Sequence, residues 1–318
     1  MSAKPTQTPS EIIDSIKEKG FTKIRDSTKA KVDIVFIHGV LGNNPCWTSD
    51  DGVFWPHMLL APELPDARIL SFTYKEKISH SGGKTDASIA MVIQGRLING
   101  LAKLRKDKES KTRPIIFVAH CLGGVILEGS IVDALDDEYG KEIVSCIRGI
   151  LLLGTPHFKE GLEPAAKEYF RYALGLKDDE LPKELPLPEE FPEIISKTQE
   201  FFDFKRKNEG IIDVKSFRAS KEPTVKEKLA QLSQGPKPQL LNRSQLQLSQ
   251  FVDSGDDDFQ EVLQTLTDWL EKIDRASEEH NGPEHDEPSV NFSGSKNSGM
   301  QIGTNKSGIR GLTFNTTY

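Results

Sequence analysis

The chain is poor in cysteine and histidine and carries no excess of basic residues. Its 318 residues include 3 Cys and 7 His. Cys46, Cys121 and Cys146 are scattered with no C-x-x-C pair, which excludes a zinc ribbon and a disulfide scaffold. No metal site and no cofactor are expected. Lys and Arg number 41 against 48 Asp and Glu, a formal charge of −7. Nucleic-acid binding needs a basic face, so no nucleic-acid partner is expected. No apolar run approaches the ~20 residues that span a bilayer. The first ten residues lack the apolar core of a secretory signal. These absences lead to the expectation of a cytoplasmic protein. The apolar share, 36%, is low, so part of the chain is expected to be solvated.

What is present falls into zones. Residues 1–31 are polar and read as an N-terminal extension. Within them, Ile12, Ile13 and Ile16 recur at helical spacing. Residues 32–273 read as the globular domain. Apolar runs at 32–38 (VDIVFIH), 68–72, 113–119 (RPIIFVA), 147–153 (IRGILLL) and 211–217 show little polar alternation. Such runs suit parallel strands buried on both faces. Helical stretches at 87–106, 124–135 and 259–273 lie between and after them, as in βαβ units. Residues 160–206 carry Pro182, Pro186, Pro188 and Pro192 and read as an inserted lid. An acidic linker, 274–290, holds His280 and His285. The tail, 291–318, is Gly-, Ser- and Asn-rich and cannot bury enough apolar surface to fold alone. The fold class expected is α/β, a mostly parallel doubly wound sheet with a helical lid, followed by a disordered, amyloid-prone tail.

The strongest chemical signal is Ala119-His120-Cys121-Leu122-Gly123-Gly124, set between an apolar run and a helix. This is the strand–turn–helix context of the G-x-S-x-G nucleophile elbow of α/β hydrolases. Ala119 and Gly123 supply the small residues that let the strained turn close. Cys121 takes the nucleophile position in place of serine, and a helix N-terminus behind it favours thiolate. His38-Gly39-Val40-Leu41-Gly42 closes the first apolar run. Val40 and Leu122 are the expected backbone N–H donors of an oxyanion hole.

The stretches VDIVFIHG, DGVFWPHMLL, LPDARILSFTY, RPIIFVAHCLGG and GILLLGTPH together resemble the lipase/esterase-like α/β hydrolases of fungi. The likeness is to effectors of the SesB-like type that accompany NOD-like receptors. It is strong over residues 32–153 and weak to 273. It implies a triad with an acid after the strand at 211–217 and a histidine before the last helix. At the acid position stands Ala219, with Glu222 nearby in a shifted register. At the histidine position stands Gln245. No histidine occurs between His157 and His280. Without imidazole nothing takes the nucleophile's proton or returns it to the leaving group. His38, His57, His120 and His157 read as structural, and Asp256, Asp257 and Asp258 as a helix-start charge cluster. Two readings follow. One is a pseudoenzyme that binds lipid or protein without turnover, which the missing base favours. The other is a lipase or esterase that uses Cys121 on acyl esters.

The tail is a palindrome about Gln301. Met300 faces Ile302, Gly299 faces Gly303, Ser298 faces Thr304 and Asn297 faces Asn305. Lys296 faces Lys306, Ser295 faces Ser307 and Gly294 faces Gly308. Gln and Asn form ladders between identical chains, and Met300 and Ile302 suit a dry zipper. The segment resembles the pseudo-palindromic amyloid motif of fungal cell-death effectors, itself similar to the core of the RIP homotypic interaction motif. Met300-Gln301-Ile302-Gly303 stands for that core. The resemblance implies self-assembly and a NOD-like receptor whose matching N-terminal motif templates it. Lipid or membrane engagement after activation is a further expected partner class.

Overall fold

The computed structural model describes residues 20–27, 29–39, 47–74, 80–81, 84–85, 88–173, 191–222, 224–232 and 235–281. Every residue of β2 (Val32–Ile37), β3 (Ala67–Thr73) and β6 (Ile115–His120) is buried. That two-sided burial explains their unbroken apolar runs. They belong to a seven-stranded sheet in the order β1-β3-β2-β6-β7-β8-β9. The remaining members are β1 (Gly20–Arg25), β7 (Ile147–Leu153), β8 (Asp213–Ala219) and β9 (Gln239–Leu241). All neighbours are parallel except β1, which runs antiparallel to β3. A separate ribbon pairs β4 (His80–Ser81) with β5 (Lys84–Thr85).

Side chains alternate between two cores. Val35, Ile37, Leu70, Phe117, Ala119 and Leu152 face one side. Covering them are α1 (Ser88–Leu104), α2 (Leu122–Ala134) and α3 (Glu138–Ser145), through residues such as Leu97, Ile131 and Ile143. Ile34, Phe36, Ile116, Val118 and Leu151 face the other side, against Trp47, Trp55 and Phe251. The closing helix there is α6, Asp257–Asn281, which supplies Phe259, Val262 and Leu266. Each such buried side chain contributes about 1.5–3 kcal/mol.

The sheet grows outward from β2 in both directions, so β2 and β6 flank a topological switch point. Crevices for ligands form there, at the carboxyl ends of the strands. At the opposite end one carboxylate gathers three guanidinium groups. Asp33 on β2 is fully buried. It accepts from Arg68 Nε at 2.8 Å and Nη2 at 2.7 Å, from Arg113 Nη1 at 3.0 Å, and from Arg105. Arg68 sits opposite Asp33 in the β2–β3 register. This cluster ties three neighbouring segments to the strand that carries the first loop of the site.

One boundary differs from the sequence reading. The sheet begins before Val32. Gly20–Arg25 lies within the expected N-terminal extension yet pairs with β3, with Phe21 opposite Phe72. As an edge strand with polar residues between its apolar ones it lacks a continuous apolar run. The stretch at 11–19 lies outside the described residues. The expected lid, 160–206, contains α4 (Glu163–Ala173) and α5 (Phe191–Lys207). Helix α5 is not simply a cover. Its Phe201, Phe202 and Phe204 complete the core on the sheet face, while Phe191 at its start joins the cluster around Cys121. The sequence through Ile273 forms one compact unit, and Asp274–Tyr318 a second.

Candidate functional site

Cys121 stands between the end of β6 and the start of α2 with φ 57° and ψ −131°. A non-glycine residue in this region carries backbone strain, which persists only where surroundings hold it. Here Cys121 N donates to Leu153 O at 2.9 Å, and Gly124 N donates to Cys121 O at 3.1 Å. The turn fits only because its neighbours are small. A Cβ on Gly123 would lie 2.3 Å from His38 O and 2.5 Å from Ile37 O. A Cβ on Gly39 would lie 2.4 Å from the Cβ of Cys121. The loop after β2 and the turn after β6 therefore touch, at the switch point. Leu122, the first residue of α2, is half-buried. Val40, the other expected oxyanion donor, lies outside the described residues.

The sulfur is not open to solvent. Cys121 is 6% exposed and lies in an apolar cluster with Val125, Phe158, Ala166, Phe191 and Leu229. Its Sγ is 2.6 Å from the hydroxyl of Tyr169 on α4. Burial, then the neighbouring Cys121, push the Tyr169 phenol well above its ordinary value, so it stays protonated. Reading the segment as a Pro-rich lid missed Tyr169. The available signal was the helical spacing of Leu162, Ala165, Ala166 and Tyr169, which all join this cluster.

The expected triad positions hold no acid and no base. Ala219, the last residue of β8, is fully buried, and its carbonyl accepts from Thr224 Oγ1 at 2.7 Å. Glu222, nearby, is exposed and accepts from its own turn at Thr224 N, 3.1 Å away. Gln245 is buried and donates through Nε2 to Gly154 O at 2.7 Å. Its own carbonyl accepts from His120 Nε2 at 2.9 Å. The amide thus fastens the loop before α6 to the end of β7. The same loop is held by Trp55 Nε1, which donates to Ser249 O at 2.9 Å.

The histidines near the elbow have structural partners. His38 Nε2 accepts from Tyr74 N at 3.2 Å, which leaves Nδ1 to donate to Gly39 O at 2.6 Å. The ring stacks on Tyr74 with centroids 4.0 Å apart. Burial lowers His38 from 6.5 to about 4, against the hydrogen bond to Gly39, and lowers His120 likewise to about 4. Both are neutral at neutral pH. His157 is fully buried, with Nδ1 2.6 Å from Glu128 Oε1 on α2. Its backbone N donates to Leu229 O. Thr198 Oγ1 of α5 approaches Glu128 Oε2 at 3.4 Å. This buried pair links α2, the loop after β7 and α5, and the sequence reading did not pair them.

At the start of α6, Asp256 Oδ1 accepts from Asp258 N and Phe259 N at 3.0 and 3.1 Å, which caps the helix. Arg243 neutralises Asp256 and Asp258. Among the described residues no group of three or more His, Cys, Asp or Glu is placed to hold a metal ion. Among them, too, no helix is long and apolar enough to cross a membrane.

Strand order, the antiparallel edge strand, the switch point and the strained elbow at Cys121 together define an α/β-hydrolase fold. Comparison with known proteins adds three kinds of likeness. Protein SERAC1 of Danio rerio is 29% identical over 150 residues, covering 42% of this chain and 23% of that protein. Protein SERAC1 of Homo sapiens is 26% identical over 181 residues, covering 51% and 27%. The chain thus spans about a quarter of the length of these curated relatives. Among solved structures, an acetyl ester-xyloside bifunctional hydrolase from Caldicellulosiruptor lactoaceticus aligns with TM-score 0.46 at 14% identity, covering 80% of this chain and 87% of that one. The carboxylesterase EstE1 aligns with TM-score 0.43 at 16% identity, covering 79% and 83%. A family model described as the SesB domain on fungal death-pathway protein matches residues 285–306. That match falls on the tail, outside the described residues, and overlaps the palindrome. Asn297, Gly299, Met300, Gln301, Ile302, Gly303 and Asn305 all lie within it.

Proposed function

We propose that this chain is a cytoplasmic death-pathway effector whose α/β-hydrolase unit is the output and whose C-terminal segment is the input. The observation that carries this reading is the death-pathway match at residues 285–306, laid over a palindrome centred on Gln301. A NOD-like receptor with a matching N-terminal motif templates the tail into a cross-β stack. Stacking raises the local concentration of the hydrolase units many-fold. The hydrolase unit has a degenerate triad. Ala219 and Gln245 stand at the acid and base positions, and Gln245 is committed to Gly154. The unit therefore acts by binding, with lipid or membrane as the surface it engages after assembly. A second reading, a cysteine esterase, draws on the elbow at Cys121, whose strained geometry is kept.

Assembly of the full chain tests the first reading. Fibres with a ~4.7 Å meridional reflection and thioflavin binding are expected, lost in Gln301→Pro. A chain that stays monomeric when seeded with its own tail peptide sinks the assembly half. Hydrolysis of short acyl esters, compared with Cys121→Ala, separates the two readings. Equal background rates reject the esterase, and sustained Cys121-dependent turnover rejects the degenerate triad.

A further inference from the structure

We propose that the lysine-rich stretch 103–111 is the face by which clustered copies of this chain dock on an anionic bilayer, each copy weakly and the cluster avidly. The inference rests on the reading above that the unit engages lipid or membrane after assembly. It adds the surface, the charge of the lipid and the reason clustering is needed.

Charge is unevenly spread along the chain. The net charge is −7, yet residues 103–113 hold Lys103, Arg105, Lys106, Lys108, Lys111 and Arg113 against two carboxylates, Asp107 and Glu109. The stretch runs from the end of α1 through a helical turn, Lys108–Lys111, to the start of β6. Lys103, Lys106, Lys108 and Lys111 are all exposed. Asp107 is committed to that turn, where it accepts from Ser110 N at 2.8 Å and Ser110 Oγ at 2.6 Å. Lys111 meets Glu142 of α3 at 3.2 Å, with both side chains about half exposed. Beneath the lysines, Arg68, Arg105 and Arg113 share the one carboxylate of Asp33. That carboxylate matches one of three positive charges, and Arg105 Nε and Arg113 Nε are buried without a hydrogen-bond partner. The surplus adds to the field of the lysines above. A cation in the last turn of α1 complements the helix dipole, which accounts for Lys103. It does not account for Lys106, Lys108 and Lys111, which lie beyond that helix.

The split between arginine and lysine selects the partner. Arginine clamps single phosphates bidentately and reads base edges. Here the arginines are turned inward to Asp33, and the exposed cations are lysines, point charges on flexible stems. No aromatic side chain lies among residues 103–113 to stack on a base. Attraction to a layer of anionic headgroups needs neither device. Each lysine near such a surface contributes about fivefold to binding. A polybasic patch alone holds a protein reversibly, and clustering presents many patches in parallel. Arg105 and Arg113 reach Asp33 at the end of the sheet opposite Cys121. A bilayer docked here lies away from the elbow, as suits a unit that binds and does not hydrolyse.

The test is flotation of the full chain with vesicles of phosphatidylcholine alone or mixed with phosphatidylserine. The chain is clustered in two ways, by seeding with its tail peptide and through an N-terminal biotin on streptavidin, which needs no tail assembly. Clustered chain is expected to float with the phosphatidylserine vesicles only, and to be released by raised salt. Unclustered chain is expected to stay behind. Combining Lys106→Gln, Lys108→Gln and Lys111→Gln is expected to weaken binding about 100-fold with no change in the urea midpoint. Failure of the streptavidin cluster to float overturns the proposal and leaves the assembly reading standing. Equal flotation with phosphatidylcholine alone, or an unaffected triple variant, also overturns it. So does tighter binding of single-stranded RNA than of the vesicles. Flotation of the streptavidin cluster with no response to the tail peptide supports the patch and overturns the assembly reading alone.

Discussion

The hydroxyl of Tyr169 stands 2.6 Å from the sulfur of Cys121, and both side chains are buried. The strained turn after β6 is thus covered by a residue from α4. Tyr169→Phe keeps the ring and removes the hydrogen bond, worth about 1 kcal/mol. Alkylation of Cys121 by iodoacetamide, followed by peptide mass mapping, is expected to accelerate about 5-fold in this variant. An unchanged rate would show that the phenol does not guard the thiol.

The Asp33 cluster predicts a large stability effect far from the elbow. Asp33→Ala leaves Arg68, Arg105 and Arg113 without their shared carboxylate. Removing one partner of a buried ion pair costs about 3–5 kcal/mol. Urea unfolding is expected to show a lower midpoint with little change of slope. A loss below about 1 kcal/mol would mean that the guanidinium groups find other acceptors.

His38 and His120 predict how stability depends on pH. Burial depresses both from 6.5 to about 4 in the folded chain. Between those values the unfolded chain binds more protons than the folded one, so stability rises with pH. The contribution is fully present above pH 6.5, declines as pH falls, and is exhausted below about 4. Each histidine accounts for about 3 kcal/mol across that window. Denaturant midpoints measured from pH 7 to pH 4 are expected to fall, less steeply in His120→Gln. A flat profile would refute neutral burial of these rings.

Neither triad position is expected to recover function singly. Gln245→His lacks a carboxylate at Ala219 to orient an imidazole. It also surrenders the bond to Gly154 O, at a cost of about 1–3 kcal/mol. Ala219→Asp places an unpaired carboxylate at a fully buried site, at a cost of about 3 kcal/mol or more. Butyrate ester hydrolysis is expected only in the double variant, and only with Cys121 intact. Cys121-dependent hydrolysis by Gln245→His alone would place an acid elsewhere.

Burial on both faces writes an apolar run into residues 32–38, 68–72, 113–119 and 147–153, which made those strands readable, whereas the half-buried β8 was read two residues early, at 211–217. Gly20–Arg25 escaped because an edge strand carries a mixed pattern. The turn at Cys121 was readable because a strained turn needs small residues at fixed, local spacing. The helical spacing of Leu162, Ala165, Ala166 and Tyr169 marks Tyr169 as one of a buried face, but its partner Cys121, 48 residues away, is not encoded in that spacing.

By itself, the sequence determined that a thiol stands at a tight strand–helix turn flanked by small residues and that no histidine lies between His157 and His280. Those are matters of residue type and short-range spacing, which chain order preserves. Only the tertiary structure decided that Gln245 is tied to Gly154, that Asp33 gathers three arginines, that His157 meets Glu128, and that Tyr169 closes over the sulfur. Each joins segments far apart in the chain, and buried polar groups find such partners only once packing has excluded water.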